Sequence, residues 1–294
     1  MNPTSPTHSF RMSAEIPPQD AFLQVLHHEL DYLHACVRLL NKDFDHQVHE
    51  LRKGTKRLRA MLTLVRKTLE PSEYRSSMIL LRDLNRRLGG ARESFINLQT
   101  FTELQDPEIL KRAKALQKEL DTTYTRKRDE LLENITLRDD LQAALQQLRE
   151  WSGQWELRTN LDGVFLKSLR RSYRRSRKLH KQLVQNSDPD LLHEWRKEVK
   201  QLWYHLRLLN LRLGPASDTP LAQVDELGSL LGFLHDLHTL TQGLDSACRK
   251  LNVPSTDCGK LTHKPRKQTL SQTRDLAEDL FRAKPSEFIQ RLND

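Results

Sequence analysis

The chain is poor in the residues that mark several common classes of protein. Its 294 residues include 3 cysteines and 10 glycines, and aromatic side chains make up only 6%. Cys36, Cys248 and Cys258 show no paired spacing, which excludes a disulfide scaffold or a thiolate metal cage and points to a reducing, cytoplasmic setting. The sequence has neither a GxxxxGK[ST] loop for cradling nucleotide phosphates nor a GxSxG elbow for a nucleophilic serine. No run reaches the roughly 18 apolar residues needed to cross a bilayer. The opening MNPTSPTHSFRMSAEIPPQ has no apolar core of the signal-peptide kind and is expected to be a loose tail over residues 1–19. A pattern of alternating apolar residues, the mark of strands, is also missing.

What the chain does have is positive charge and helical periodicity. The formal net charge is +9 and the pI about 9.5, which directs the search for partners toward polyanions. Apolar residues recur at helical spacing over about 20–41, 45–69, 72–104, 107–134, 137–157, 161–185, 189–213, 219–251 and 269–292. Prolines mark the joints, and Ser187 or Asp188 is placed to cap the helix at 189. The aperiodic stretch 252–268 is expected to be a long loop. The fold class is therefore all-α.

One helical signature occurs twice. VHELRKGTKRLRAMLTLV at Val48 to Val65 aligns with LHEWRKEVKQLWYHLRLL at Leu192 to Leu209, with His49/His193, Arg52/Arg196, Lys53/Lys197 and Lys56/Lys200 in register. At 100° per residue those four positions share one face, while Leu51, Leu58, Leu62 and Val65 lie on the other. Each copy thus pairs an apolar back with a cationic front. The correspondence continues downstream, where LNRRLGGARES at Leu84 to Ser94 matches LGSLLGFLHDL at Leu227 to Leu237 and sets Arg92 opposite His235. A period of about 144 residues is too long for a solenoid and indicates duplicated halves, approximately 20–157 and 160–292.

The pair HELRKGTKRLR and HEWRKEVKQLW, each followed by a helix carrying LG and then an acidic residue, resembles the CHAD family, the conserved histidine α-helical domain. The resemblance covers roughly Asp20 to Leu292. It implies one domain over 20–294 made of two four-helix half-bundles about a pseudo-twofold axis, binding inorganic polyphosphate along a basic surface between them. CHAD modules are often joined to a triphosphate-processing CYTH domain, whose β-tunnel has no counterpart here, so a non-catalytic, granule-associated binding module is expected, without cofactor and away from the membrane.

The residues assigned to polyphosphate are His49, Arg52, Lys53, Lys56, Arg57 and Arg59 in the first motif, with Arg92 after it. His193, Arg196, Lys197, Lys200 and His235 are their counterparts in the second half. A further set comes from Lys167 to Lys181, where eight cations occur without an acid and Arg171, Arg174, Arg175 and Lys178 fall in a stripe. Surface helices normally neutralise such a run with i,i+4 acids, so this one carries a repulsion that a bound polyanion would relieve. Polyphosphate presents only oxygen acceptors and negative charge, which suits repeated Arg forks and Lys point charges. Glu50 and Glu194 are read as partners that hold neighbouring bases in place. HDLH at His235 to His238 could bind a metal only with a third ligand that the sequence does not supply. Trp203 and Tyr204 stand where the first motif has Arg59 and Ala60, and as stacking aromatics they keep nucleic acid as the alternative partner. A metal-dependent phosphate-processing enzyme is a more distant alternative.

Overall fold

A computed structural model describes residues 10–104, 110–157, 160–185, 188–251 and 256–292. Eleven α-helices occur in it, and no strand is present among the described residues. The first repeat holds α1 (Pro18–Arg38), α2 (Phe44–Val65), α3 (Pro71–Arg87), α4 (Gly89–Glu103), α5 (Leu110–Leu132) and α6 (Leu137–Ser152). The second holds α7 (Leu161–Gln185), α8 (Pro189–Leu213), a 3-10 turn (Pro215–Ser217), α9 (Asp218–Leu251), α10 (Thr256–Leu280) and α11 (Pro285–Arg291).

Local chemistry sets the limits of the motif helices. Before α8, the Asp188 carboxylate accepts from the Asp190 N–H at 2.9 Å and Pro189 takes a first-turn position where its missing N–H costs nothing. Gly214, at φ +74°, ends the helix in a conformation that other residues adopt only with strain. In α2, Gly54 brings α1 close, since a Cβ there would lie 2.4 Å from Leu33 Cδ2.

The packing pairs repeat between the halves: α1 on α2 as α7 on α8, α1 on α6 as α7 on α11, and α4 on α5 as α9 on α10. The main core runs through both halves and contains Leu58 and Leu202, each fully buried. A smaller core of Phe101, Leu116, Leu120, Leu240 and Leu244 forms where α4, α5 and α9 meet. His205 ties three helices together. Its Nε2 lies 3.0 Å from the Ala60 carbonyl of α2 and its Nδ1 3.0 Å from Ser172 Oγ of α7, and burial depresses its pKa to about 4.

Three expectations are corrected. The segment from Phe10 onward is packed and not a loose tail: Phe10 and Met12 are buried, Met12 N donates to the Leu208 carbonyl at 2.7 Å, and Arg212 donates to the carbonyls of Ser13 and Ile16. Residues 1–9 lie outside the described part. The helix expected over 72–104 breaks at Leu88, just before the Gly89-Gly90 pair, giving α3 and α4. The loop expected over 252–268 is helical from Thr256 onward, because packing on α9 outweighs the breaker signal of Pro265, with Thr241 and Thr262 hydroxyls 3.1 Å apart across the contact. Residues 252–255 are outside the described part. With these breaks and additions the two repeats hold six and five α-helices among the described residues.

Candidate functional site

The two motif helices pack on one another, and α2 also meets α4 while α8 meets α9. Their cationic fronts converge on Lys56. More than a third of Lys56 is open to solvent, yet protein surrounds it densely enough for burial to be the main cause of a pKa lowered to about 8. Both hold for a side chain on the floor of a basin. The further causes are Arg52 from its own helix, Arg196 and Lys200 from the other repeat, and Arg92 from α4. Among the described residues none of these five cations forms an ion pair with a carboxylate.

Each side chain is held by its surroundings. Arg52 donates to the Asn85 carbonyl at 2.7 Å, one of the orphan carbonyls in the last turn of α3, and passes close over Gly89. Arg92 lies over the Phe95 ring at 5.0 Å. Lys200 packs across Gly228 and over Trp203 at 4.8 Å, and the buried Arg196 Nε has no hydrogen-bond partner among the described residues. Glu93, Asp45, Asp225 and Asp236 act on these cations electrostatically without pairing. The glutamates behind the motif histidines serve as expected: Lys53 donates to Glu50 at 3.4 Å, Tyr32 holds the other Glu50 oxygen at 3.0 Å, and Lys197 donates to Glu194 at 2.7 Å.

A family model described as the CHAD domain matches residues 24–245, which includes both motif helices, Arg92 and His235. The chain belongs to the CHAD family. Among solved structures it is similar to the CHAD domain from the plant Ricinus communis, with a TM-score of 0.68 and 16% identity over 94% of this chain and 95% of that one. It is also similar to PptA from Streptomyces chartreusis, with a TM-score of 0.67 and 16% identity over 91% of this chain and 100% of that one. At this identity the likeness speaks for the CHAD fold alone. No curated protein matches the sequence.

The histidines of this CHAD domain border the basin. His49 is depressed to about 4, by burial first and then by Arg92, with Lys53 and Lys56 adding to it. His193 is also lowered, chiefly by burial, and its ring stacks on His235 at 5.2 Å. His235 lies 3.4 Å from Asp236. Among the described residues no three His, Cys, Asp or Glu side chains stand close enough to share a metal ion. A polyanion held here would raise the pKa of both Lys56 and His49, so its binding would take up protons. Affinity is therefore expected to fall as pH rises through 8, where free Lys56 loses its proton, and to increase as pH drops toward 4. Calorimetry near pH 8 in two buffers of different ionisation enthalpy measures the uptake, which Lys56→Arg should largely remove.

Several assigned residues lie elsewhere. Arg57 turns to α1, where its Nε bonds to Glu29 at 2.7 Å in a largely buried pair. Arg59 faces Tyr74 and Arg82 on α3. In the α7 stripe, Arg174, Arg175 and Lys178 are exposed, but Arg175 approaches Glu198 at 3.5 Å, and Glu198 lies about 200° around α8 from Arg196. Arg171 acts on His205, deep between helices. The α7 charges thus fall on a different side of α8 from the basin. Sequence reasoning missed Arg207, which like Lys200 lies over the Trp203 ring, at 5.1 Å, and feels Arg11 of the packed N-terminal segment. Its signal was present at i+7 from Lys200.

Proposed function

We propose that this CHAD protein binds inorganic polyphosphate in the basin centred on Lys56, as a binding module without turnover. The observation that carries the reading is the meeting, from both repeats, of five cations without an ion pair among the described residues, Arg52, Lys56, Arg92, Arg196 and Lys200. Like charges that act on one another in this way repel, and a ligand of high negative charge density offsets that repulsion. Polyphosphate supplies such charge without a base or side chain to be read, and Arg and Lys approach its oxygens from three helices. Ten of the sixteen assigned residues belong to the basin or its rim: His49, Arg52, Lys53, Lys56, Arg92, His193, Arg196, Lys197, Lys200 and His235. Association with polyphosphate granules in the cytoplasm would follow from such binding, and among the described residues no helix is long and apolar enough to cross a membrane.

Nucleic acid fits the basin less well. Trp203 and Tyr204 are each only 8% exposed, with Trp203 flanked by Lys200 and Arg207 and Tyr204 against Phe10, so neither offers a free face for a base. Competition among long-chain polyphosphate, single-stranded DNA and duplex DNA at matched phosphate concentration and physiological salt tests the reading. Polyphosphate is expected to displace both nucleic acids, and no phosphate should be released with or without divalent metal. Equal or weaker affinity for polyphosphate would overturn the proposal.

A further inference from the structure

A second cation-rich cavity lies outside the basin. It measures about 560 Å³ and is formed by the C-terminal half of α2, the connection after it and α3. Arg59, Arg66, Lys67, Arg75 and Arg82 line it against a single acid, Glu70, and none of the ten basin residues takes part. Arg59 is seven residues beyond Arg52, about 10 Å further along α2.

The cavity is not a remnant of the duplicated motif. In the second repeat the positions of Arg59, Arg66 and Lys67 are occupied by Trp203, Asn210 and Leu211. Trp203 is buried there, and Asn210 is used locally, donating to Ser217 and Asp218 at the end of α8. The first repeat alone gathers cations at this place. Arg59 and Arg82 repel one another across the cavity, and the buried Arg59 Nε has no hydrogen-bond partner among the described residues.

The rest of the lining differs from that of the basin. Tyr74, Leu69, Met78 and Ile79 supply an aromatic ring and apolar surface, with Arg66 stacked over the Tyr74 ring at 5.1 Å and Ile79 42% exposed. A phosphate polymer has nothing to place against such surface. The volume lies within the roughly 300–1,000 Å³ typical of small-molecule pockets, and apolar walls with a few placed charges are their usual lining.

We propose that this cavity is a separate site for an organic phosphate of nucleotide size, its phosphates on Arg59, Arg75 and Arg82 and its planar group against Tyr74, Met78 and Ile79. The inference does not depend on the polyphosphate reading of the basin. ATP, inorganic tripolyphosphate and adenosine serve as probes, titrated into the full chain carrying Arg196→Ala and Lys200→Ala so that the basin is weakened.

ATP should still bind this protein, more tightly than tripolyphosphate or adenosine. Adding Arg75→Ala with Arg82→Ala should weaken ATP by about tenfold or more, since two charged contacts are lost. Tyr74→Leu should bring ATP down to the affinity of tripolyphosphate. In the otherwise unaltered protein, Arg75→Ala with Arg82→Ala should leave long-chain polyphosphate affinity within about twofold, these side chains lying outside the basin. Loss of ATP binding on weakening the basin, indifference of ATP to Arg75 and Arg82, or tripolyphosphate binding as tightly as ATP would each overturn the proposal. None of these results bears on whether polyphosphate occupies the basin.

Discussion

Arg196→Ala with Lys200→Ala is expected to weaken long-chain polyphosphate binding by about 100-fold at physiological salt, since two charge-assisted contacts are worth roughly 3 kcal/mol together. The slope of log affinity against log salt should become shallower by about 1.4, the share of two phosphate contacts on a flexible strand. Thermal stability should hardly change. Arg196 Nε lacks a partner among the described residues, and removing two cations relieves repulsion around Lys56. Arg52→Ala with Lys56→Ala should weaken binding equally but lower stability by about 1 kcal/mol, because Arg52 also donates to the Asn85 carbonyl at the end of α3. Reversing the exposed α7 cations, Arg174→Glu, Arg175→Glu and Lys178→Glu, should reduce affinity by less than about fivefold, through the long-range field alone. Fluorescence titration at several salt concentrations, with melting curves for each variant, measures all three. A larger loss from the α7 reversal than from the basin variants would move the ligand path onto α7.

Leu202→Asp should unfold the protein. The side chain is fully buried in the main core, and a carboxylate there has no partner to offset its desolvation. A cost of at least about 4 kcal/mol is expected against a total stability of roughly 5–15 kcal/mol. Leu58 lies in the same core, so Leu58→Asp should act in the same way, and either change should melt both repeats rather than its own half. Circular dichroism gives the loss of helix. Hydrogen exchange followed separately in α2 and α8 shows whether the halves open together; a protected partner helix would mean that each repeat folds independently.

Much of this was legible in the chain. Helical period and the scarcity of glycine define an all-α fold, and the repeated HExRKxxK spacing places His, Arg and Lys on one face of a helix because the rotation per residue is fixed. The pairing of Glu50 with Lys53 and of Glu194 with Lys197 follows from the same local geometry. Breaks and exceptions were harder to see. Pro265 signals a break that packing against α9 overrides, and Phe10 and Met12 look like tail residues until a surface is available to bury them.

Which cations share a site could not be read from the order of residues. Sequence places a charge on a helix face, but the side of α8 on which α7 packs is set by how Leu169, Tyr173, Leu202 and Leu206 fill the common core. That packing sends the acid-free stripe of α7 toward Glu198 and leaves the basin to α2, α4, α8 and α9. It also turns Arg57, one position after Lys56, into a buried partner of Glu29, since 100° of rotation separates the open face of α2 from the face covered by α1. The sequence by itself determined the helices, their duplication and the charge they carry, because these depend on neighbours within a few turns. Tertiary structure alone decided which charges meet, because that depends on how separate helices pack against one another, from α1 on α2 to α2 on α8.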